Sequence, residues 1–343
     1  MIGHPLGLHR VIDPKGSLPQ GAWKLNNDMI LYDNELLIDV HQLNIDSASF
    51  HQIKEEVGHH AEAICKYMFS LVAQRGKHHN PVTGSGGVLI GKVKEIGPHF
   101  PGKDLREGDM IATLVSLTLT PLRLSHIHRI DLDTGQVNVT GEAILFASGL
   151  YAKLPEDLPQ PLSLAVLDVC GAPAQTAKLV SSGDTVVILG AGGKSGLLSL
   201  YSARQKVGNH GKIMALEKGE KGIERLKKLQ LADQIIKVDA TCPVDVLEAV
   251  EQATEGRLAD VVLNCANVSH TEMSAILSAK QGGKVYFFNM ATSFSAAALG
   301  AEGVGKDVDL IIGNGYTRGH TELVFQMMRE SRALFQLFME VYG

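Results

Sequence analysis

The sequence predicts an α/β protein in which a doubly wound parallel sheet follows a strand-rich, β-barrel-like first domain. Three observations carry that expectation. The first is the run TVVILGAGGKSGLLSLYSARQ, Thr185 to Gln205, where a β-type apolar stretch passes into a glycine cluster and then into a helix-patterned segment. Strand, glycine-rich turn and helix in that order let a backbone wrap a pyrophosphate at a helix N-terminus. The second is KIMALE, Lys212 to Glu217, an apolar strand ending in an acid placed to accept hydrogen bonds from an adenosine ribose. The third is the return of apolar strands at βαβ spacing, ADVVLNCA (Ala259 to Ala266) and GKVYFFNM (Gly283 to Met290).

Taken in order, residues 1–151 are rich in short strands and turns: MILYDNELLIDVHQLNI, then GGVLIGKVKEIG, then GDMIATLVSLTLTPLRL. Alternation with Gly and Pro punctuation points to a compact β domain. A helix-patterned stretch, Glu55 to Arg75, interrupts it. Residues 152–315 are expected to form the Rossmann dinucleotide-binding domain. The final segment, Thr321 to Val341, reads as one or two helices.

Within the glycine loop, Gly190 permits a tight turn, and Gly192 and Gly193 let a phosphate approach the backbone amides. Gly196 lets the helix pack close to the strand. The loop is not a P-loop, because the glycine required five residues before Gly193 is Ile188. Its spacing, Gly190-x-Gly192-x-x-x-Gly196, is one residue longer than the simple dinucleotide fingerprint, with Gly193 offering a second register. Lys194 and Ser195 complete the expected phosphate site, with Lys194 toward the pyrophosphate. Asn264, Ala266 and Asn289 end later strands, where the crevice of such a sheet lies. Glu217 favours a free 2′-hydroxyl, hence NAD, and the neighbouring Lys218 leaves NADP open. A Rossmann domain whose crevice holds no nucleotide is the bland alternative.

A chain of 343 residues is long enough for two domains. Its net charge of −5 carries no nucleic-acid footprint. The N-terminus MIGHPLGLHR has no signal-peptide core and no apolar run suits a membrane span, so a cytoplasmic protein is expected. The four cysteines, Cys65, Cys170, Cys242 and Cys265, are scattered, which disfavours a disulfide framework or a four-cysteine zinc lobe.

LLIDVHQLNID (36–46), PVTGSGGVLIGKVKEIG (81–97), LREGDMIATL (105–114), YAKLPEDL (151–158) and SSGDTVVILGAGGKSG (181–196) occur in that order. With them the chain resembles the medium-chain dehydrogenase/reductase superfamily. The resemblance implies a GroES-like catalytic domain over 1–151, joined by the returning residues 316–343, and a Rossmann domain over 152–315. It also implies a dimer or dimer of dimers. The departures are informative. Zinc-dependent members need a Cys in the loop LNIDSAS, which has none, and His-Glu where Ser85 and Gly86 stand. Only Cys170 matches a ligand position, and a catalytic zinc needs three protein ligands, so no metal is expected. HRVIDPKGSLPQGAWKLNND (9–28) and YDNELLIDVHQLNIDSASF (32–50) narrow the resemblance to the zinc-free diamino-acid dehydrogenases of anaerobic lysine fermentation. It implies NAD(P)-dependent oxidative deamination of a small diamino acid.

Hydride leaves an amine-bearing carbon only after the ammonium loses a proton, so such a reaction needs a general base. Asp46 lies in the loop that faces the nicotinamide in the superfamily; its bland role is a turn cap. Ser47 and Ser49 flank it, and Ser85 stands in for the zinc-ligand histidine. Asp168 sits in an apolar run, where a buried carboxylate needs a partner or a role. The neighbouring Cys170 reads as an inert small hydrophobe. His126 and His128 share a strand face without an apparent third ligand, and Arg123 reads as a surface arginine or a carboxylate clamp. Two other functions remain open on these residues: a zinc-free quinone or enoyl reductase, which needs only an apolar slot, and a nucleotide-binding protein without turnover.

Overall fold

The computed structural model describes the whole chain except Asp133, Met290, Asn314 and Gly343, together with the side chains of Ser47 and Ala48. It divides into two units, Met1–Glu156 and Asp157–Gly343. In the first, a minor pair, β1 (Val11–Asp13) and β2 (Lys24–Leu25), precedes a sheet of six strands. These are β3 (Glu35–Asn44), β4 (Val88–Ile96), β5 (Met110–Thr113), β6 (Leu122–Ile130), β7 (Gln136–Phe146) and β8 (Tyr151–Lys153), paired in the order β6-β7-β3-β4-β5-β8. All neighbours run antiparallel. The central strand β3 buries Leu36, Leu37, Ile38, Val40 and Leu43, with its polar residues Asp39, His41 and Gln42 less covered.

Between β3 and β4 lie α1 (Ser47–Val57) and α2 (Ala61–Arg75). The single helical stretch expected from Glu55 is thus two helices, and the first begins at Ser47. Gly58, at φ 84°, divides them, a conformation that ends a helix cheaply only with glycine. Phe50 and Ile53 of α1 and Ile64, Met68 and Val72 of α2 share one core with Ile38, Leu43, Leu89 and Val137 of the sheet. Each such fully buried side chain contributes about 1.5–3 kcal/mol.

The N-terminal segment is pinned to β3 by a buried ion pair. The Arg10 guanidinium donates to both Glu35 oxygens, at 2.7 and 2.5 Å. It also donates to the carbonyls of Asp28 and Ile30, at 2.7 and 2.8 Å. His9 Nε2 lies 2.9 Å from the same carboxylate. A buried charge is tolerated when it is paired and its remaining donors are satisfied, which holds here.

In the second unit all six strands are parallel: β9 (Thr185–Leu189), β10 (Lys212–Glu217), β11 (Gln234–Lys237), β12 (Ala259–Asn264), β13 (Ala279–Phe287) and β14 (Val308–Ile312). Their order is β11-β10-β9-β12-β13-β14, so the winding reverses between β9 and β12. The crevice of such a sheet lies at that reversal, beyond the strands' C-terminal ends. The helices are α3 (Gln160–Leu167), α4 (Gly171–Leu179), α5 (Lys194–Val207), α6 (Glu220–Leu229), α7 (Pro243–Thr254), α8 (Glu272–Ser278), α9 (Phe294–Gly303), α10 (His320–Glu330) and α11 (Arg332–Tyr342).

Residues 316–342 pack within the second unit, α10 on α3 and α4, and α11 on α3 and α6. Val324, Met327, Met328, Leu334 and Phe338 are buried there. Arg329 also clasps Asp157 at 2.7 and 2.8 Å, tying α10 to the start of its own unit.

Glu35→Ala strands the buried Arg10 charge and is expected to cost about 3–5 kcal/mol, read as a lower midpoint in denaturant unfolding. Glu62→Ala removes the exposed Glu62–Lys66 pair and should leave the midpoint unmoved.

Candidate active site

Where β3 gives way to α1, Asp46 takes an extended conformation and caps the helix: its Oδ1 accepts the Ser49 amide at 2.9 Å. Its other oxygen, Oδ2, accepts the Ser85 hydroxyl. Ser49 Oγ lies 2.6 Å from Thr83 Oγ1 and 3.1 Å from Ser85 Oγ. Asp46, Ser49, Thr83 and Ser85 therefore form one chain of hydroxyls ending on a carboxylate. The turn cap weighed for Asp46 is present, and its second oxygen is held by Ser85. Ser47, the fourth expected residue of this group, has its side chain outside the described residues.

Asn80 shapes the loop that delivers Thr83 and Ser85. Its Oδ1 accepts the amides of Val82 and Thr83, at 2.9 and 3.2 Å, and its Nδ2 donates to Gln52 Oε1 at 2.7 Å. Its backbone amide donates to the Ser85 carbonyl at 2.9 Å. The Asn80-Pro81 dipeptide was a legible turn signal, but its connection to α1 was not.

Next along the loop's root, His78 is fully buried and neither ring nitrogen has a hydrogen-bond partner. Burial pushes its pKa down to about 4, only partly opposed by the Gly86 carbonyl and the nearby Asp46 carboxylate. The Thr118 hydroxyl, also buried, is unpartnered as well. Gly86 sits against both residues: a Cβ there would lie 2.4 Å from the His78 carbonyl oxygen and 3.1 Å from the Thr118 nitrogen. The His78-His79 pair stands out in the sequence as a pair of histidines, but the isolation of His78 arises only from packing.

The remaining catalytic candidates fall in the second unit. Asp168 is not buried: it is the C-cap of α3, its side chain is 60% exposed, and its partner is Lys194 Nζ at 2.6 Å. The apolar run around it belongs to α3, whose C-terminus turns Asp168 outward. Cys170 is buried, and burial raises its thiol to about 12, so it is inert, as expected. In the first unit, His126 and His128 are exposed with rings 4.6 Å apart, and Arg123 pairs with Glu142. Among the described residues no three His, Cys, Asp or Glu side chains gather as a metal site.

The cofactor site is built on the loop between β9 and α5. Gly190 takes φ 68°, and a Cβ at Gly192 would lie 2.4 Å from the Gly222 Cα. A Cβ at Gly196 would lie 2.4 Å from the Gly190 carbonyl oxygen, so the loop closes only with these glycines. Two amides expected to meet phosphate are occupied. Gly192 N–H donates to Glu217 Oε2 at 2.9 Å, and Gly193 N–H to the Gly190 carbonyl at 3.2 Å. The first-turn amides of Lys194, Ser195 and Gly196 remain, and a helix start gives these no internal acceptor. That set fits a dinucleotide pyrophosphate.

Glu217 ends β10 as expected, and its Oε1 accepts the amides of Lys218 and Gly219, at 3.0 and 2.9 Å. Lys218 pairs with Asp239 at 2.6 Å. Asn264 is a correction: fully buried, its Nδ2 donates to Thr271 Oγ1 at 2.8 Å, so it shapes the crevice from beneath. Ala266 closes on Gly190, whose Cβ would lie 2.7 Å from the Ala266 Cα. Asn289 Oδ1 accepts from Thr292, while its buried Nδ2 has no partner, an open donor at the end of β13. Arg225, overlooked in the sequence, donates to the Gly192 carbonyl at 3.2 Å.

Comparison with known proteins matches this geometry to a family. Residues 9–155 match the family model of the L-erythro-3,5-diaminohexanoate dehydrogenase N-terminal domain. The chain is 54% identical over 343 residues to the L-erythro-3,5-diaminohexanoate dehydrogenase of Acetoanaerobium sticklandii, covering 100% of both. It is 53% identical over 341 residues to that of Fusobacterium nucleatum, covering 99% of both. Among solved structures, an alcohol dehydrogenase of Thermotoga maritima superposes with TM-score 0.56 at 14% identity, over 92% of this chain and 86% of the other. A mycobacterial protein solved with NADPH superposes with TM-score 0.50 at 16% identity, over 90% and 82%. These two likenesses show the fold.

The buried His78 sets an acid limit. Its pKa falls from 6.5 to about 4 on folding, so between those values the unfolded chain binds the extra proton and stability rises with pH. Full protonation costs roughly 3 kcal/mol. His78→Phe should reduce, without abolishing, the rise in melting temperature between pH 4 and 6.5, because burial also pushes His79 down to about 4; an unchanged slope would place the titration elsewhere.

Proposed function

The chain belongs to the L-erythro-3,5-diaminohexanoate dehydrogenase family, and we propose that it oxidatively deaminates that diamino acid at C3. The products are 5-amino-3-oxohexanoate, ammonia and NADH or NADPH. The observation that carries the proposal is the carboxylate ending the hydroxyl chain: Asp46 with Ser85, backed by Ser49 and Thr83.

The substrate carries two ammonium groups and one carboxylate. Asp46 Oδ2 takes a proton from the C3 ammonium, which frees the nitrogen lone pair to push. A nicotinamide cofactor, held through its pyrophosphate by the amides of Lys194, Ser195 and Gly196, would supply the acceptor for the hydride at C3. Water then adds to C3 of the substrate iminium while the protonated Asp46 hands its proton to the nitrogen and takes one from the water, giving a carbinolamine with an ammonium group. The C–N bond breaks to release ammonia, the hydroxyl proton leaves to form the ketone, and Asp46 returns its proton to solvent. Ser85 donates to Asp46 and keeps its lone pairs for the substrate N–H groups, so it orients the amine. A quinone or enoyl reductase would have no use for this anion beside the hydroxyls.

Cofactor binding falls to the amides of Lys194, Ser195 and Gly196, with Glu217 toward the ribose. The Glu217 carboxylate would repel a 2′-phosphate, and we therefore read NAD as the preferred cofactor. The unpaired Asn289 Nδ2 is the donor a nicotinamide carboxamide would satisfy. No described helix is long and apolar enough to cross a membrane. We place the protein in the cytoplasm, in lysine fermentation. We further propose a homodimer, or a pair of dimers, through the β14 edge, where Ile312, Phe294 and Leu299 are 50%, 60% and 67% exposed.

Asp46→Asn keeps the cap, because Asn accepts the Ser49 amide as well, and removes the base. Turnover with the diamino acid should fall by about 10²–10⁴ while cofactor affinity holds; near-normal kcat would remove Asp46 from the reaction. Activity should also survive exhaustive chelation, since Ser85 stands at a ligand position; loss of activity restored by zinc would contradict this.

A further inference from the structure

Tyr342, in the last turn of α11, lies between two cations at the glycine loop. Lys194 Nζ is 5.5 Å from the centre of its ring, and the Arg225 guanidinium carbon is 6.0 Å away. Lys194 is the first residue of α5, directly after Gly193. Arg225, on α6, donates to the Gly192 carbonyl at 3.2 Å. Phe338 holds the ring from its other end, with centroids 5.2 Å apart. Lys194 also reaches Asp168, and Lys228 holds α11 through Glu340 at 2.8 Å.

Two like charges gathered at one loop repel each other and need an anion or a π face between them. Among the described residues, the carboxylate paired with either is the solvent-facing Asp168, bound to Lys194. An aromatic ring supplies the π face without competing as a fixed charge. The first-turn amides of Lys194, Ser195 and Gly196 point the same cluster toward an anion. We propose that the C-terminal helix is part of the cofactor site, with Tyr342 a positioning residue that holds Lys194 and Arg225 ready for the cofactor pyrophosphate. The proposal rests on the dinucleotide site described above. It names the pyrophosphate rather than a 2′-phosphate because both cations flank Gly192 and Gly193, not the ribose acid Glu217.

The test measures NAD⁺ and NADP⁺ binding calorimetrically on the full chain without substrate, for the wild type, Tyr342→Leu and Tyr342→Phe. Leu keeps the apolar contact with Phe338 and removes the ring face; Phe keeps both. The Leu variant should bind both cofactors about three- to thirty-fold more weakly, at an unchanged melting temperature, and the Phe variant should bind as the wild type does. Wild-type affinity in the Leu variant, a loss confined to NADP⁺, or an equal loss in the Phe variant would each overturn the proposal. Failure of the wild type to bind either cofactor would instead overturn the dinucleotide site itself.

Discussion

The carboxylate of Asp46 is divided between two partners, and the first unit is arranged around that division. One oxygen caps α1 and so fixes where β3 becomes helix; the other receives Ser85 from a loop almost forty residues further on. Asn80 makes the division possible by closing its loop on itself and on Gln52 of α1. Under the proposed deamination, the carboxylate and the three hydroxyls gathered there would serve proton transfer and ammonium binding.

The same economy governs the glycine loop. Beside the ribose role proposed for it, Glu217 takes the amide of Gly192 and those of Lys218 and Gly219. Gly222 is needed for this: a Cβ there would lie 2.6 Å from the Glu217 carboxyl carbon. The acid therefore shapes the loop before any nucleotide arrives, and the phosphate-facing amides are displaced one step into α5. The extra residue in the glycine spacing gives the chain room for that step.

Much of this was legible in the sequence. The period-two strands, the glycine cluster and the acid ending KIMALE name the parallel sheet and its ligand edge, because each depends on neighbours in the chain. Asp46 and Ser85 were legible through the loops that carry them. What failed was whatever depends on distant packing. Asp168 reads as buried because its neighbours are apolar, yet a helix C-terminus turns it out to Lys194. Asn264 reads as a crevice residue because it ends a strand, yet its amide points down to Thr271. The apolar faces of α10 and α11 announce burial but not against which unit. His78 is visible in the sequence as half of a histidine pair, but its isolation is made by everything around it.

A dehydrogenase of this family that uses Asp46 as its base, as proposed, should consume an amine and release its nitrogen. The most direct measurement incubates the purified protein with L-erythro-3,5-diaminohexanoate and NAD⁺ or NADP⁺ and counts reduced cofactor against ammonia, beside parallel reactions with a simple alcohol and a quinone. The account predicts equimolar reduced cofactor and ammonia from the diamino acid and no turnover of the other two. Turnover of the alcohol or the quinone, with no ammonia from the diamino acid, would contradict it.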